Sequence, residues 1–343
     1  MSKGFYCKML QGVVLSILTI SAFVLIYFTV FEIDYHNTGG AYMAVSASTI
    51  KFVNQWLEEG ALKLHFTCYE YFDSIEFHSL SERYPYVSYP SGSTFLIWIL
   101  AKLMGRQHIG ISFLKHVQAV FLSIEMLAAA FFTCCLLRHS GFVRKAENMI
   151  ISVATAVFWL YLPGTAWYLS NILFADQVVI LHIMLFILLE YINDVAENSR
   201  LIVFMRICKA GIIYMGVLTD YYFWIFAFFI FMMKCIRFIL VQTKLKYVVS
   251  GLLEYVVPVV CGLGTFLWQI SYTENWIAIL KKKFVYRTGG EAAGSLFENF
   301  CAVYTGGNTM RGAHGAAFYN TRVPEGQRMD GGLSFRGGNL QYF

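Results

Sequence analysis

The chain has 343 residues, of which 58% are hydrophobic and 14% charged, with a formal net charge of +5. Ordinary soluble domains carry roughly a quarter charged residues, so this much apolar surface excludes a soluble fold. The positive balance does not point to nucleic acid either, because the basic residues sit between apolar segments and do not gather on one face.

With 31 Phe and 22 Tyr, the composition is that of an all-α, polytopic integral membrane protein with aromatic belts at the interfaces. The N-terminal MSKGFYCKML places two lysines ahead of an apolar run from Leu10 to Phe31. The run exceeds a signal peptide's apolar core and lacks a small-x-small cleavage site, so it reads as an uncleaved anchor with its N-terminus in the cytoplasm.

FEIDYHNTGG follows directly, and Glu32, Asp34 and His36 stand where the chain leaves the bilayer. A charge at that level is costly unless it faces water, a partner or a substrate. Asp34 is the leading candidate for an active-site carboxylate, with Glu32 beside it as an auxiliary acid.

From Ala41 to Gly60, Met43, Ala47, Ile50, Val53 and Leu57 recur at steps of three and four, while Lys51, Gln55, Glu58 and Glu59 fall elsewhere on the wheel. This predicts an amphipathic helix lying on the membrane, with Gly60 as a natural stop. The polar run after it holds His65, Cys68, Glu70, Asp73, Glu76 and His78, in an order that matches no zinc pattern, and reads as a solvated loop. Cys68 and Cys301 are the two cysteines expected outside the bilayer; the eight cysteines together give no disulfide framework.

Ser93 to Arg106 is nearer the length of an interfacial or re-entrant helix than the ~20 residues a span needs. If it does not cross, the loops with Arg138, Arg144 and Lys145, with Arg200, Arg206 and Lys209, and with Lys234, Arg237, Lys244 and Lys246 all fall in the cytoplasm, as the positive-inside rule favours. Lys102, Arg106 and Lys115 are then left on the outer side. The remaining spans are Ile109 to Leu137, Asn148 to Leu162, Ser170 to Ile192, Ile207 to Leu218, Tyr222 to Leu240 and Tyr247 to Ile270; the one from Ile207 is short, which allows a true start back near Leu201. With the first anchor this makes about seven. Residues 1–270 form the transmembrane domain, with 32–108 as its first extracytoplasmic loop; residues 271–343 form a basic, glycine-rich extracytoplasmic region, weakly ordered from Gly306.

On this topology Asp34, Asp176 and Asp220 share the extracytoplasmic side, as does the cation cluster Lys281, Lys282, Lys283 and Arg287. Cations can neutralise a phosphoryl group. In glycosyl transfer from a lipid-phosphate sugar the leaving group is already a stabilised anion, so what remains is a carboxylate to deprotonate the attacking hydroxyl from the opposite face of the sugar. Such a displacement inverts the anomeric carbon.

The order of features resembles the GT-C superfamily of membrane glycosyltransferases, which includes protein O-mannosyltransferases and the transferases that add aminoarabinose to lipid A. The resemblance rests on EIDYHNTGG in the first outer loop, on YPSGSTFLIWILAKLMG, similar to the family's YPP-like or KPP-like element before a short helix, and on WYLSNILFADQVVILHIMLFILLEYI and GVLTDYYFWIFAF. It covers roughly Leu10 to Gly290. It implies a polyprenyl-phosphate-linked sugar donor, a glycan, lipid or protein acceptor hydroxyl, Asp34 and Asp176 as the catalytic pair, with Asp34 as base or acceptor-orienting acid and Asp176 auxiliary to it, and the basic stretch Lys281, Lys282, Lys283 and Arg287 as holder of the carrier phosphate; Asp220, placed on the same side by the topology, is a further auxiliary acid. It places the chain in a bacterial cytoplasmic membrane, in contact with membrane lipid and no nucleic acid. Other members carry further spans, so a chain ending at Phe343 reads as a truncated or minimal member. A requirement for a divalent metal ion is left open. The alternative is a non-catalytic protein for translocation or assembly of lipid-linked glycans.

Overall fold

Among the described residues the regular structure is helical, and the β feature is an isolated antiparallel bridge between Tyr69 and Pro85. The computed structural model describes residues 11–24, 41–70, 80–141, 145–162, 175–195, 198–240 and 245–287. The helices are α1 (Gln11–Val24), α2 (Ala41–Gln55), α3 (Gly92–Leu103), α4 (Ile111–Ser140), α5 (Lys145–Tyr161), α6 (Ala175–Val195), α7 (Ser199–Val217), α8 (Tyr221–Leu240), α9 (Leu245–Ile270) and α10 (Trp276–Arg287). The chain divides into two units, Met1–Trp276 and Ile277–Phe343.

Among the described residues three helices are long and apolar enough to cross a membrane: α4 over its whole length, Tyr221–Phe238 of α8 and Leu252–Ile270 of α9. The 30 residues of α4 rise about 45 Å, against a hydrocarbon core of about 30 Å. The 12 residues of α3 rise only about 18 Å, too little to cross.

Contacts within the first unit fix the directions of its helices. Gln11 at the start of α1 accepts a hydrogen bond from Arg138 near the end of α4 at 2.8 Å, so α1 and α4 are antiparallel. Asn148 near the start of α5 donates to the Cys134 carbonyl at 3.2 Å, which turns α5 back along α4. The α6 residues Val178 and Leu181 pack with Ile97 of α3 and Phe113, Leu114 and Val117 of α4, and Tyr191 donates to the Cys135 carbonyl at 3.1 Å. Helices α4 and α6 therefore run parallel. The starts of α4, α6 and α8 and the ends of α7 and α9 meet at the end of the bundle that carries α3.

Part-way along the bundle the helices are joined by an ionic network. Lys209 of α7 is 1% exposed; its Nζ lies 2.8 Å from Glu190 of α6, 2.6 Å from Glu254 of α9 and 3.2 Å from the Tyr255 hydroxyl. Tyr255 donates to Glu190 at 2.7 Å, and Lys234 of α8 also pairs with Glu190. Arg206 lies 3.7 Å from Glu254. This corrects the loop expected for Arg206 and Lys209: α7 starts at Ser199, where the Asn198 side chain accepts the N–H groups of Arg200 and Leu201, and both cations fall inside the helix.

The region between α2 and α3 also departs from expectation. Gln55, placed on the polar side of the wheel, is buried, as are Thr67, Cys68, Tyr69, Ser88 and Ser91 of the expected solvated loop. The cause is an aromatic cluster in which Trp56 meets Phe66 and Trp98 edge to face, at 5.5 and 6.2 Å between ring centres. The Trp56 indole N–H donates to the Thr67 carbonyl at 2.9 Å and draws the strand-like segment under α2. Gly60 does turn the chain, with φ of +93°, after a π-helical extension of α2 over Trp56–Gly60.

Candidate functional site

Two of the motifs singled out in the sequence meet at the α3 end. The YPSG turn enters α3 at Gly92, and LTD links α7 to α8. The Gly92 N–H donates to the Leu218 carbonyl at 2.5 Å. A Cβ on Gly92 would stand 2.6 Å from that oxygen and 2.8 Å from the Thr219 hydroxyl, so only glycine lets the two turns touch.

The end of α9 completes the junction. Gln269 accepts from the Ser91 hydroxyl through its side chain at 3.0 Å and from the Thr67 hydroxyl through its carbonyl at 2.7 Å. Tyr221 donates to the Val87 carbonyl at 2.8 Å, and the Glu274 N–H to the Ser81 carbonyl at 2.9 Å. The result is a buried polar seam of hydroxyls, amides and backbone groups held by four elements. Such groups orient a bound molecule; they do not abstract protons at neutral pH.

Asp220 sits in this seam at 1% exposure. Its Oδ1 accepts from the Tyr222 N–H at 2.9 Å, and its carbonyl accepts from the Phe223 N–H at 3.1 Å. That is the geometry of an N-cap on α8, with the carboxylate also favoured by the positive end of the helix dipole. The acid expected as auxiliary catalyst thus has a structural duty.

Asp176 is the second residue of α6, and its helix starts at the same end as the LTD turn: His182 of α6 lies against Phe223 of α8 at 6.4 Å, and Val179 packs with Val217. The structure brings the backbone positions of Asp176 and Asp220 to one end of the bundle. Glu32 and Asp34 lie outside the described residues, as does Cys301.

The second unit begins with most of α10, which carries Lys281, Lys282, Lys283 and Arg287. Consecutive helical residues are about 100° apart, so the three lysines fan over roughly 200° of the helix and cannot grip one phosphate together. Lys283 and Arg287, four apart, share a face. Lys281 and Lys282 are exposed.

The region of α2, α3 and the segment between them also carries buried titratable groups. Cys68 lies 3.6 Å from the Thr94 hydroxyl, and burial pushes its thiol up to about 12, which rules it out as a thiolate nucleophile at neutral pH. Burial likewise pushes Tyr69 up to about 12. Lys51 donates to the Glu70 carbonyl at 2.7 Å, and burial holds its ammonium below the usual lysine range, against the opposing pull of Glu70. Among the described residues no three His, Cys, Asp or Glu side chains gather as a metal site.

Sequence reasoning named the two turns but missed Gln269, which joins them, and the Glu190, Lys209, Glu254 and Lys234 network. The network had a signal: four ionisable residues in otherwise apolar helices must find one another. Gln269, one polar residue at the end of a span, had none. Compared with protein-family models, curated proteins and solved structures, the chain has no match.

Proposed function

We propose that the chain is a membrane glycosyltransferase that moves a sugar from a polyprenyl-phosphate carrier to an acceptor hydroxyl on the extracytoplasmic side. In this reading α1, α4, α5, α6, α7, α8 and α9 are seven spans, α2 and α3 are outer interfacial helices, and residues 271–343 lie outside. The observation that carries it is the Gly92 to Leu218 contact. It brings the YPSG and LTD elements to the end where α6 starts, with Asp176 as its second residue, so motifs far apart in sequence share one end of the bundle.

In the mechanism, Asp34 takes the proton of the acceptor hydroxyl as it attacks the anomeric carbon, and the carrier phosphate departs with the electron pair of the glycosidic bond, inverting the centre. Asp176 orients the acceptor. The departing phosphate requires a cation to neutralise it, and within the second unit Lys283 and Arg287, on one face of α10, are the pair suited to that role. The test is transfer from a panel of polyprenyl-phosphate sugars in membranes containing the protein. Asp34→Asn abolishes transfer while the protein stays folded; transfer at the wild-type rate in that variant removes Asp34 from the mechanism.

One observation favours a second reading. Asp220 is committed to capping α8, which leaves fewer free acids and suits a non-catalytic protein that binds lipid-linked glycans for translocation or assembly. Under that reading Asp34→Asn is silent and charge reversal at Lys283 and Arg287 weakens glycolipid binding.

A further inference from the structure

The link between α3 and α4 is fixed at both ends and projects between them. Ala101 and Ile109 are buried. Asn54 brackets Ile109, accepting its N–H at 2.8 Å and donating to its carbonyl at 3.0 Å. Helix α3 stops in a Schellman turn: the Arg106 N–H returns to the Ala101 carbonyl at 2.9 Å, and the Gly105 N–H to Lys102 at 3.0 Å. Gly105 takes φ of +65°, and a Cβ there would meet nothing within 4 Å.

Every residue from Lys102 to His108 is exposed. Leu103 is exposed to 79% and Met104 to 60%. Lys102 and Arg106 flank them, and neither is in a salt bridge with a described residue. His108 leans back on Asn54 and Glu58, at 3.1 and 3.6 Å. A rigid turn that presents two large apolar side chains between two cations matches neither water nor a purely apolar partner.

What lies next to it decides the partner. Ile111, two residues past the Asn54 clamp, begins α4, a helix long and apolar enough to cross a membrane, and is itself exposed at its start. The projection therefore continues the surface of a membrane-spanning candidate at its very end, where acyl chains give way to headgroups.

We propose that Lys102–His108 is a lipid-binding prong: Leu103 and Met104 enter the acyl boundary of the adjacent leaflet, and Lys102 and Arg106 hold phosphate groups of anionic phospholipids. The assignment depends neither on the transferase reading nor on which side of the membrane that leaflet faces.

The test uses the full chain in liposomes of phosphatidylcholine mixed with phosphatidylglycerol, with a photoreactive benzophenone amino acid in place of Leu103. Illumination is expected to give lipid adducts whose ratio of phosphatidylglycerol to phosphatidylcholine exceeds that of the bilayer by roughly tenfold at low salt, the size that two surface cations support. The double variant Lys102→Gln, Arg106→Gln keeps the lipid adducts and brings phosphatidylglycerol down to its share. Adducts in simple proportion to composition, adducts to a second copy of the chain, no adducts at all, or an enrichment that survives the double variant each overturn the proposal.

Discussion

The backbone N–H of Gly92 reaches the carbonyl oxygen of Leu218 at 2.5 Å, and the space a side chain would need is filled by that same carbonyl. The obstacle is backbone on both sides, so no rotamer change relieves it. Gly92→Ala is expected to cost about 1–3 kcal/mol, as overpacking of a rigid site does. Gly264→Ala in α9, where a Cβ meets nothing within 4 Å, serves as the control. Thermal unfolding in detergent separates the two, and equal midpoints would remove the turn-to-turn contact as a structural element.

Part-way along the bundle, Lys209 is the shared partner of Glu190 and Glu254. Lys209→Met leaves two carboxylates facing each other across three helices with one close cation removed. Breaking a buried ion pair from one side costs about 3–5 kcal/mol. Adding Glu254→Gln to that variant is expected to restore part of the loss, because it removes one of the stranded charges. A double-mutant cycle on unfolding midpoints reads the coupling; strict additivity would mean the network is not a unit.

How much of this was legible in the sequence differs from element to element. Helices longer than four turns announced themselves by apolar length, and the short α3 by its lack of it. The early start of α7 was legible too, because Leu201 to Phe204 continues its apolar pattern. The burial of Gln55, Cys68 and Tyr69 was not, since it comes from Trp56 folding a distant segment beneath α2, and a wheel drawn on one helix contains no such neighbour. Nor did spacing along α10 reveal that Lys281, Lys282 and Lys283 diverge, since charge density in a sequence is blind to the 100° step.

Burial of Cys68 and Tyr69 makes the region between α2 and α3 sensitive to alkali. The ordinary values are 9.0 for the thiol and 10.0 for the phenol, and both rise to about 12 in the folded chain. A raised acid of this kind leaves stability intact below the ordinary value. Above it the unfolded chain releases protons that the folded chain retains, so stability falls as pH rises from about 9 towards 12. Intrinsic tryptophan fluorescence, reporting in part on Trp56 and Trp98, is expected to follow this loss, and Cys68→Ser with Tyr69→Phe flattens it. A profile unchanged by the pair places the alkaline transition elsewhere.

The antiparallel order of helices sets the sides of their connections. Gly141, Asn198 and the end of α8 belong to one end, and the LTD turn and Glu274 to the other. Reporter fusions after Ser140 and after Asn198 should give the same signal, opposite to that of a fusion after Glu274. A Ser140 fusion matching the Glu274 fusion contradicts the seven-span arrangement.

Asp220 offers the sharpest separation of structure from chemistry. As the N-cap of α8 it accepts from the Tyr222 N–H at 2.9 Å, a duty that asparagine performs about as well and alanine does not. Asp220→Ala is expected to lose about 1 kcal/mol of stability, while Asp220→Asn stays close to wild type in thermal unfolding. Transfer from a polyprenyl-phosphate sugar then decides the role: a cap alone predicts that Asp220→Asn keeps its activity, and an auxiliary acid predicts that it loses activity at unchanged stability. Because Asp34→Asn tests the proposed base independently, a silent Asp220→Asn beside an inactive Asp34→Asn assigns the carboxylate chemistry to the first outer loop and the capping to α8.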